Sequence, residues 1–480
     1  MSKKDEKGIS ISKEKDFSKW YTELIQKADL ADYTKVSGCI VFKPKSFAMW
    51  EKVMELVNQR IKKLNVKNVY FPLFIPEEYL SKEATHVEGF TPEVAWVTHA
   101  GKTKLNERLA IRPTSETIMY PSFSKWIRSY KDLPLKYNQW SNVVRWEFNN
   151  PVPFFRTREF LFNEGHTVFA TQKEAEAEGP KIIDIYKDIL ENYMALPNFF
   201  GKKTEREKFA GAEYTWSLEC YLPNGKAIQG PDFHHDGQIF AKAYDIKFID
   251  KDEKEKYVWQ NTWAISTRML GVMFAMHSDD KGLILPPKMA DEKIGIIPIL
   301  FEDSKKKVLA EAKKIKKILN KYGVFIDDRE EYTPGWKFNE IEMSGTPLRI
   351  EIGPRDLLKK EVVVVKRNTS KKYTIKISQL TKEIPKLLDE MQNELYEKAE
   401  KLLKSNIVKT DNYKDIIKLI KNKKLILAPM CINEECEDQL KDKTTAKVIN
   451  IPLEQPSLEN KKCIICNKQA DYIGYIGKSY

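Results

Sequence analysis

Residues 139 to 167 read QWSNVVRWEFNNPVPFFRTREFLFNEGHT, and the fold turns on how that stretch is read. Arg145, Glu147, Arg156, Arg158, Glu159 and Glu164 alternate with aromatic residues. β-Branched and aromatic side chains fill the first half. Asn149, Asn150, Pro151 and Pro153 break the centre, and aromatic residues return in the second half, a pattern that predicts an antiparallel hairpin with a wide loop. Arginines then stand at matched heights on the two arms. A guanidinium fork meets two oxygens of a phosphate or carboxylate at once, and Phe and Trp faces stack on a flat base, so the hairpin suits a nucleotide. The alternative at this point is a charged hairpin whose Arg and Glu pair across the strands.

Upstream, ERLAIRPTSETIMYPSFSKWI predicts a strand entering a Thr-Ser-Glu turn and a helix that begins near Ser115. Backbone N–H groups there point at whatever lies in front, although Thr114 and Glu116 can equally cap the helix. Phe47, Trp50, Val53, Met54, Val57, Ile61 and Leu64 recur at three and four, the mark of one buried helix face ending near Asn65. FSKWYTELIQKADL predicts another helix before it. VKNVYFPLFIP predicts a strand, and Pro72, which lacks a ladder donor, assigns it to an edge or a subunit contact. Residues 77–105 read as loop-rich. Downstream, TQKEAEAEGPKIIDIYKDILENYMALP is a helix interrupted at Gly179 and Pro180, residues 213–248 continue the antiparallel sheet, and VWQNTWAISTRMLGV runs from a strand into a helix around Arg268.

At 480 residues the chain is too long for one core, and about three domains are expected. A boundary falls at 283–293, where two prolines and charge interrupt the pattern. Beyond it strands and helices alternate as in a compact α/β unit, and a Lys/Glu-rich helix from Glu383 to Lys404 leads away. Lys and Arg outnumber Asp and Glu by 81 to 69, a net +12. That favours a polyanionic partner, though solvated lysine-rich helices give the same sum. No apolar run reaches the roughly 18 residues of a membrane span. MSKKDEKGISISKEKD lacks the apolar core of a signal peptide, so a cytoplasmic, non-membrane protein with a mobile N-terminus is expected. Six cysteines are present. Cys39 and Cys220 stand alone and read as buried small hydrophobes. Cys431-x4-Cys436 and Cys463-x2-Cys466 have the spacing of a closed four-thiolate site, hence a structural zinc ion.

Taken together, R-W-E, the loop, R-T-R-E-F and the later W-A-I-S-T-R resemble motifs 2 and 3 of the class II aminoacyl-tRNA synthetases, and NVYFPLFIP resembles motif 1, which lies at the dimer interface in that class. RPTSET at 112–117, REFLF at 158–162, AIQG at 227–230, LPP at 285–287, PGWKF at 334–338 and GPRD at 353–356 are similar to the prolyl-tRNA synthetase family in particular. The segment between Phe162 and Tyr257 is too short for the bacterial editing insertion, which points to the archaeal and eukaryotic type. The C-terminal cysteines and Tyr480 agree with that type, in which the terminal tyrosine folds back towards the active site; a frayed end is the alternative.

The resemblance implies an α+β multidomain enzyme. Residues 1–16 would be a mobile N-terminus and 17–287 a catalytic antiparallel sheet flanked by helices. An anticodon-binding α/β domain with its connecting helix would occupy 288–400, and a small zinc-containing α/β domain 401–480, the whole forming a homodimer. It implies joining of L-proline to ATP with Mg2+, release of pyrophosphate, and transfer of the prolyl group to tRNA(Pro). By the same resemblance Arg145 would bridge the proline carboxylate and α-phosphate, and Glu147 would read the adenine amino group. Arg156 and Thr157 would lie at the distal phosphates, Phe160 would stack on adenine, and Arg268 would cover its other face beside Ser266. Gln229 and Asp232 would adjoin the nucleotide; Asp232 stands where the family commonly has threonine, and is expected to turn away, the alternative being that it helps bind magnesium. Glu219 would be a magnesium ligand or an ion-pair partner. Thr114, Glu116, Phe162 and His234 would surround proline, with Glu116 facing the secondary ammonium. Glu342 would read an anticodon guanine, with Arg349 and Lys366 either assisting or serving as solvated strand-edge charges. A threonyl-, glycyl- or histidyl-tRNA synthetase is the near alternative. A non-catalytic tRNA-binding paralogue is the distant one, and it would usually have lost Arg145, Glu147 or Arg268.

Overall fold

The computed structural model describes residues 8–86, 93–147 and 150–480, with the backbone alone for 82–86. The expected hairpin is antiparallel: Leu135–Val144 pairs with Glu159–Phe169, from Leu135 opposite Val168 to Val144 opposite Glu159. Just beyond, the Arg145 amide donates to the Arg158 carbonyl at 2.8 Å. Residues 148 and 149 of its wide loop lie outside the described residues. The second arm is buried along most of its length because Trp259–Ala264 pairs on its other side. That strand in turn pairs with Lys226–Gly237. Tyr214–Tyr221 and Phe199–Lys202 branch from the far side of Lys226–Gly237.

Helix Pro44–Ile61 covers one face. It starts with Pro at a position where the missing N–H costs nothing, and its winding ends at Asn65 in the left-handed region, φ 62°. Met49, Trp50, Val53, Leu56, Val57 and Ile61 are its buried side chains. Each contributes on the order of 1.5–3 kcal/mol, and Trp50 meets Trp140 of the hairpin edge-on at 5.6 Å. Phe47, expected on that face, is exposed instead.

Three local expectations change. The strand predicted over 66–76 pairs only at Lys67–Asn68 and at Phe74–Pro76, in two different sheets. Between them side chains replace the ladder that Pro72 cannot join: the Gln139 carbonyl accepts from the Phe71 amide, and Arg112 donates to the Phe71 carbonyl at 2.8 Å. The segment read as loop-rich holds a helix, Glu77–His86, and a hairpin of Trp96–Ala100 with Thr103–Ile111, turned at Gly101 with φ 62°. The N-terminal arm expected to be mobile is tied down where it is described. The Lys13 amide donates to Asp280 at 2.7 Å, its ammonium donates to the Ser278 carbonyl at 2.8 Å, and it sits 4.6 Å from the Trp20 ring. Residues 1–7 lie outside the described residues.

The α/β unit has a five-stranded sheet in the order Val324–Ile326, Ile294–Pro298, Leu348–Ile352, Glu361–Lys366, Lys372–Lys376. The first three strands are parallel and the last two antiparallel, and the sheet has its own apolar core. Helix Leu380–Asn406 leads from it and buries Met391 and Leu395 against Ala195 and Ile284 of the first domain.

The last segment does not form a separate sheet. Ile407–Lys409, Leu425–Met430 and Tyr472–Ser479 are consecutive, and Tyr472–Ser479 then pairs in parallel with Lys226–Gly237, Lys226 opposite Lys478 and Ala227 opposite Ser479. One 11-stranded sheet therefore runs from the cysteine cluster to the hairpin. Among the described residues no helix is long and apolar enough to cross a membrane.

Candidate functional site

The hairpin, the Thr-Ser-Glu turn and the strand-to-helix joint at Arg268 converge on a cleft of about 1220 Å³. Thr114, Glu116, Arg145, Glu147, Phe160, Phe162, Gln229, Asp232, His234, Ser266 and Arg268 all line it. Local structure explains the convergence. The Thr267 amide donates to the Leu161 carbonyl at 2.9 Å and the Asn163 amide to the Ile265 carbonyl at 3.0 Å, which presses the start of helix Arg268–His277 against the hairpin.

Two arginines stand out among the charged groups that line the cleft. Arg145 Nε donates to the Pro113 carbonyl at 3.0 Å, and its guanidinium stands 5.4 Å from the Phe160 ring. Arg268 donates to the Phe155 carbonyl at 3.1 Å and the Gln229 carbonyl at 3.3 Å. Burial, and Arg145 next, weaken Arg268's hold on its proton, while Asp232 and Glu219 act the other way. Neither arginine is in a salt bridge among the described residues. Carbonyls fix their geometry without cancelling their charge, so an anion entering the cleft meets two oriented cations.

Asp232 does not turn away as expected. It lines the cleft, where Gln229 Nε2 donates to one of its oxygens at 2.8 Å and His234 Nε2 lies 3.6 Å from the other. Burial lowers the pKa of His234; Asp232 opposes that shift and Arg145 adds to it. His234 Nδ1 faces the Thr215 hydroxyl at 2.8 Å.

Thr114 and Glu116 are not helix caps. Ser115, the residue at the cap position, makes no capping bond with its side chain. Instead the buried Glu164 carboxylate accepts from the Ser115 amide at 2.9 Å and from the Ser115 hydroxyl, while the single proton of the Thr114 hydroxyl is shared between Glu164, at 3.0 Å, and Glu116. Burial pushes the Glu164 carboxyl up, against the hydroxyls of Ser115 and Thr114 and the charges of Arg112 and Arg145. Gln139 donates to the Ser115 hydroxyl at 3.1 Å and joins this network to the residues before Pro72.

Several cleft residues were not singled out from the sequence. Glu164, Gly165 and His166 on the hairpin's second arm, Thr262 and Trp263 opposite, and the segment Glu205–Ala210 all line it. Gly165 carried the one available signal. A Cβ there would overlap the indole of Trp263, and a lone glycine inside a strand marks such a close approach.

Other candidates lie elsewhere. Arg156 lines a smaller chamber of about 180 Å³ with Phe155, Lys203, Glu219 and Tyr480; Gln229 and Arg268 border both spaces. Thr157 is buried beside a third hollow near Tyr33–Ile40. Glu219 is an ion-pair partner: Lys203 Nζ donates to it at 2.5 Å and Ser217 at 2.9 Å, all three buried. Tyr480 is not frayed. Its amide donates to the Ala227 carbonyl at 3.1 Å, its hydroxyl accepts from Asn224 at 2.8 Å, and its ring lies 5.0 Å from Phe155.

In the α/β unit Glu342 is half-buried, and Arg349 donates to it at 3.1 Å. Arg349 and Lys366 are not solvated edge charges. Arg349 is buried against Phe338 and also bonds Glu351 at 3.0 Å, and Lys366 is buried with Glu394 at 2.7 Å.

Cys431, Cys436, Cys463 and Cys466 have their sulfurs within 4.8 Å of one another. Cys431 lies 3.5 Å from Cys436 and 3.7 Å from Cys466. A tetrahedron with metal–sulfur bonds of about 2.3 Å has edges of about 3.8 Å, so the four fit a metal ion. The Lys468 amide, its largest influence, brings Cys466 down to about 7. Cys220 is buried as expected, whereas Cys39 is half-exposed.

The chain matches the family model of the tRNA synthetase class II core domain (G, H, P, S and T) over 96–277, of the anticodon binding domain over 293–387, and of the prolyl-tRNA synthetase C-terminal domain over 413–480. It is 45% identical to the cytoplasmic proline–tRNA ligase of Arabidopsis thaliana, covering 98% of this chain and 91% of that one. It is 43% identical to the proline–tRNA ligase of Natranaerobius thermophilus, covering 98% of each. The crystal structure of prolyl-tRNA synthetase from Cryptosporidium parvum complexed with halofuginone and AMPPNP superposes with a TM-score of 0.94 at 43% identity, covering 98% of this chain and 99% of that one.

Proposed function

The chain belongs to the prolyl-tRNA synthetases, and on that premise we propose how its cleft works. It is a ligase that joins L-proline to ATP and passes the prolyl group to tRNA(Pro). In the first step a carboxylate oxygen of proline attacks the α-phosphorus, an O–P bond forms, the bond to the β-phosphate breaks, and pyrophosphate leaves. In the second, a ribose hydroxyl of the tRNA end attacks the prolyl carbonyl, and AMP leaves with the bonding pair. Neither step needs a covalent bond to the protein. For the first step the demand is to hold the two reactants in line and neutralise charge at phosphorus; in the second the hydroxyl proton passes to the departing phosphate or to solvent.

One observation carries the reading: Arg145 and Arg268 face one cleft with carbonyls as their partners, and the Glu116–Thr114–Glu164 cluster borders the same cleft. We assign the acidic end to the secondary ammonium of proline, with Phe162 and His234 walling the ring. Arg145 takes the carboxylate and α-phosphate. Phe160 and Arg268 take the two faces of adenine, Glu147 its amino group, and Gln229 and Ser266 adjoin the nucleotide. Magnesium accompanies ATP; Asp232, which lines the cleft, would help hold it, whereas Glu219 is taken up by Lys203. Arg156 serves the distal phosphates from the adjoining chamber, with Thr157 behind it as support.

The four cysteines would hold zinc, which supplies cross-linking of two loops and no open coordination position. The α/β unit reads the anticodon, with Glu342 at its accessible edge. Tyr70, Phe74 and Trp126, exposed by 72, 44 and 49% around Pro72, support burial of that face in a homodimer. The reduced thiols of a metal site fit the cytosol.

Proline-dependent exchange of pyrophosphate into ATP tests the reading. Exchange that ignores proline, or that threonine supports better, overturns it. Light scattering tests the dimer, for which a mass of two chains is expected.

A further inference from the structure

The cleft wall formed by Glu205–Ala210 has no secondary structure of its own to hold it. What it touches is the cysteine-bearing unit. Helix Glu434–Thr444, which carries Cys436, presents Glu437 and Asp438 to this segment. The Thr204 hydroxyl donates to the buried Glu437 at 3.1 Å, and Arg206 is paired with Asp438. Two further ties come from the next strand, where Lys447 is paired with Glu207 and the buried Lys203 donates to the Ile449 carbonyl at 2.9 Å. Lys202 and Ile451 exchange both backbone bonds, at 2.8 and 2.7 Å. Glu434, at the start of the same helix, itself lines the cleft.

The other end of the segment meets the amino-acid pocket. The Phe209 ring lies 4.9 Å from that of His234, and the Phe209 amide donates at 3.0 Å to the Thr215 hydroxyl that also faces His234 Nδ1. A continuous path of contacts therefore leads from Cys436 through Glu437 and Asp438 to Thr204 and Arg206, then along the segment to Phe209 and His234. ATP-facing groups such as Arg145 and Arg268 are held by other partners, the carbonyls of Pro113, Phe155 and Gln229.

We propose that Glu437 and Asp438 are positioning residues for the amino-acid pocket: the cysteine-bearing helix sets the Thr204–Ala212 segment, and through Phe209 sets His234, so that this helix, by that path, governs affinity for proline and not for ATP. The inference rests on the proline-activating reading, so proline-dependent exchange by the unmodified chain is established first; its absence would overturn that reading alone. Asp438→Arg and Glu437→Gln are then compared with Asp438→Glu, which keeps the charge facing Arg206. Asp438→Arg is expected to raise KM for proline about five- to twentyfold, with KM for ATP within twofold and metal content unchanged. Deuterium uptake across 203–212 should be faster. Asp438→Glu should behave as the unmodified chain. A proline KM within twofold of the unmodified value overturns the proposal whatever the exchange shows. So does a parallel rise in both KM values, or loss of the bound metal, since either would mean a general loosening.

Discussion

A side chain at position 165 would run into the wall of the cleft. Trp263 occupies the space a side chain would take, and it is itself buried on the neighbouring strand, so it could move only by shifting the cleft wall. Gly165→Ala is expected to cost roughly 1–3 kcal/mol through overpacking, seen as a lower unfolding midpoint, together with a higher KM for proline. An unchanged midpoint and KM would mean that the indole yields. Next to it His166 is buried, its Nδ1 facing the Tyr120 hydroxyl at 3.2 Å, and burial brings its pKa down to about 3. His277, buried with Nε2 at 2.9 Å from the Met194 carbonyl, comes down to about 4, with burial again the largest cause. Both bind fewer protons folded than unfolded between those values and about 6.5. Stability from them is thus complete above about pH 6.5 and is lost as pH falls, by up to about 1.4 kcal/mol per pH unit for each. Urea midpoints at pH 7 and pH 5 measure this, and His166→Gln with His277→Gln should flatten the dependence.

At the scale of elements, the strand Tyr472–Ser479 does two jobs. It closes the core of the cysteine-bearing unit and adds to the edge of Lys226–Gly237. Beyond it Tyr480 packs on Phe155, whose carbonyl holds Arg268. Removing 478–480 takes away the pairing at Lys226–Ala227 and the ring behind Phe155 while leaving all four cysteines. The expected result is a fall in proline-dependent exchange on the order of 100-fold, the size of effect that slight misplacement of a reacting group produces, with metal content unchanged. Full activity after truncation would deny the link. The sequence made the hairpin, the Thr-Ser-Glu turn, the helix over 44–61 and the alternating α/β unit legible, because each has a local period or punctuation. It did not reveal the junction at Ala227 and Ser479, since a two-residue parallel pairing between distant segments leaves no periodic trace. Nor did it separate buried from solvated charge. Lys366 and Glu219 are decided by Glu394 on a later helix and Lys203 just past an earlier strand, partners that spacing alone cannot nominate. The cleft residues that were legible are those to which a motif gives a role; Glu164, within the hairpin, and Trp263, within W-A-I-S-T-R, became meaningful only once strands were registered.

For the whole molecule, the shared sheet makes the catalytic and cysteine-bearing parts one cooperative body, whereas the α/β unit has a sheet and core of its own. Removing the zinc proposed at the four cysteines with a chelator is therefore expected to lower the unfolding temperature of the catalytic part as well, by several degrees, because binding energy at such a site is folding energy. Hydrogen exchange in Ile294–Pro298 and Leu348–Ile352 should stay as it was. Catalytic strands that keep their protection without metal would show that the junction transmits nothing.

The same junction has a bearing on synthesis. A ribosome delivers Lys226 and Ala227 long before their partners at Lys478 and Ser479. At about 5–20 residues per second, the stretch between them takes on the order of ten to fifty seconds to emerge. Through that interval the nascent sheet offers an unsatisfied edge to any strand that passes, its own or a neighbouring polysome's. That edge is covered only when Lys478 and Ser479 arrive.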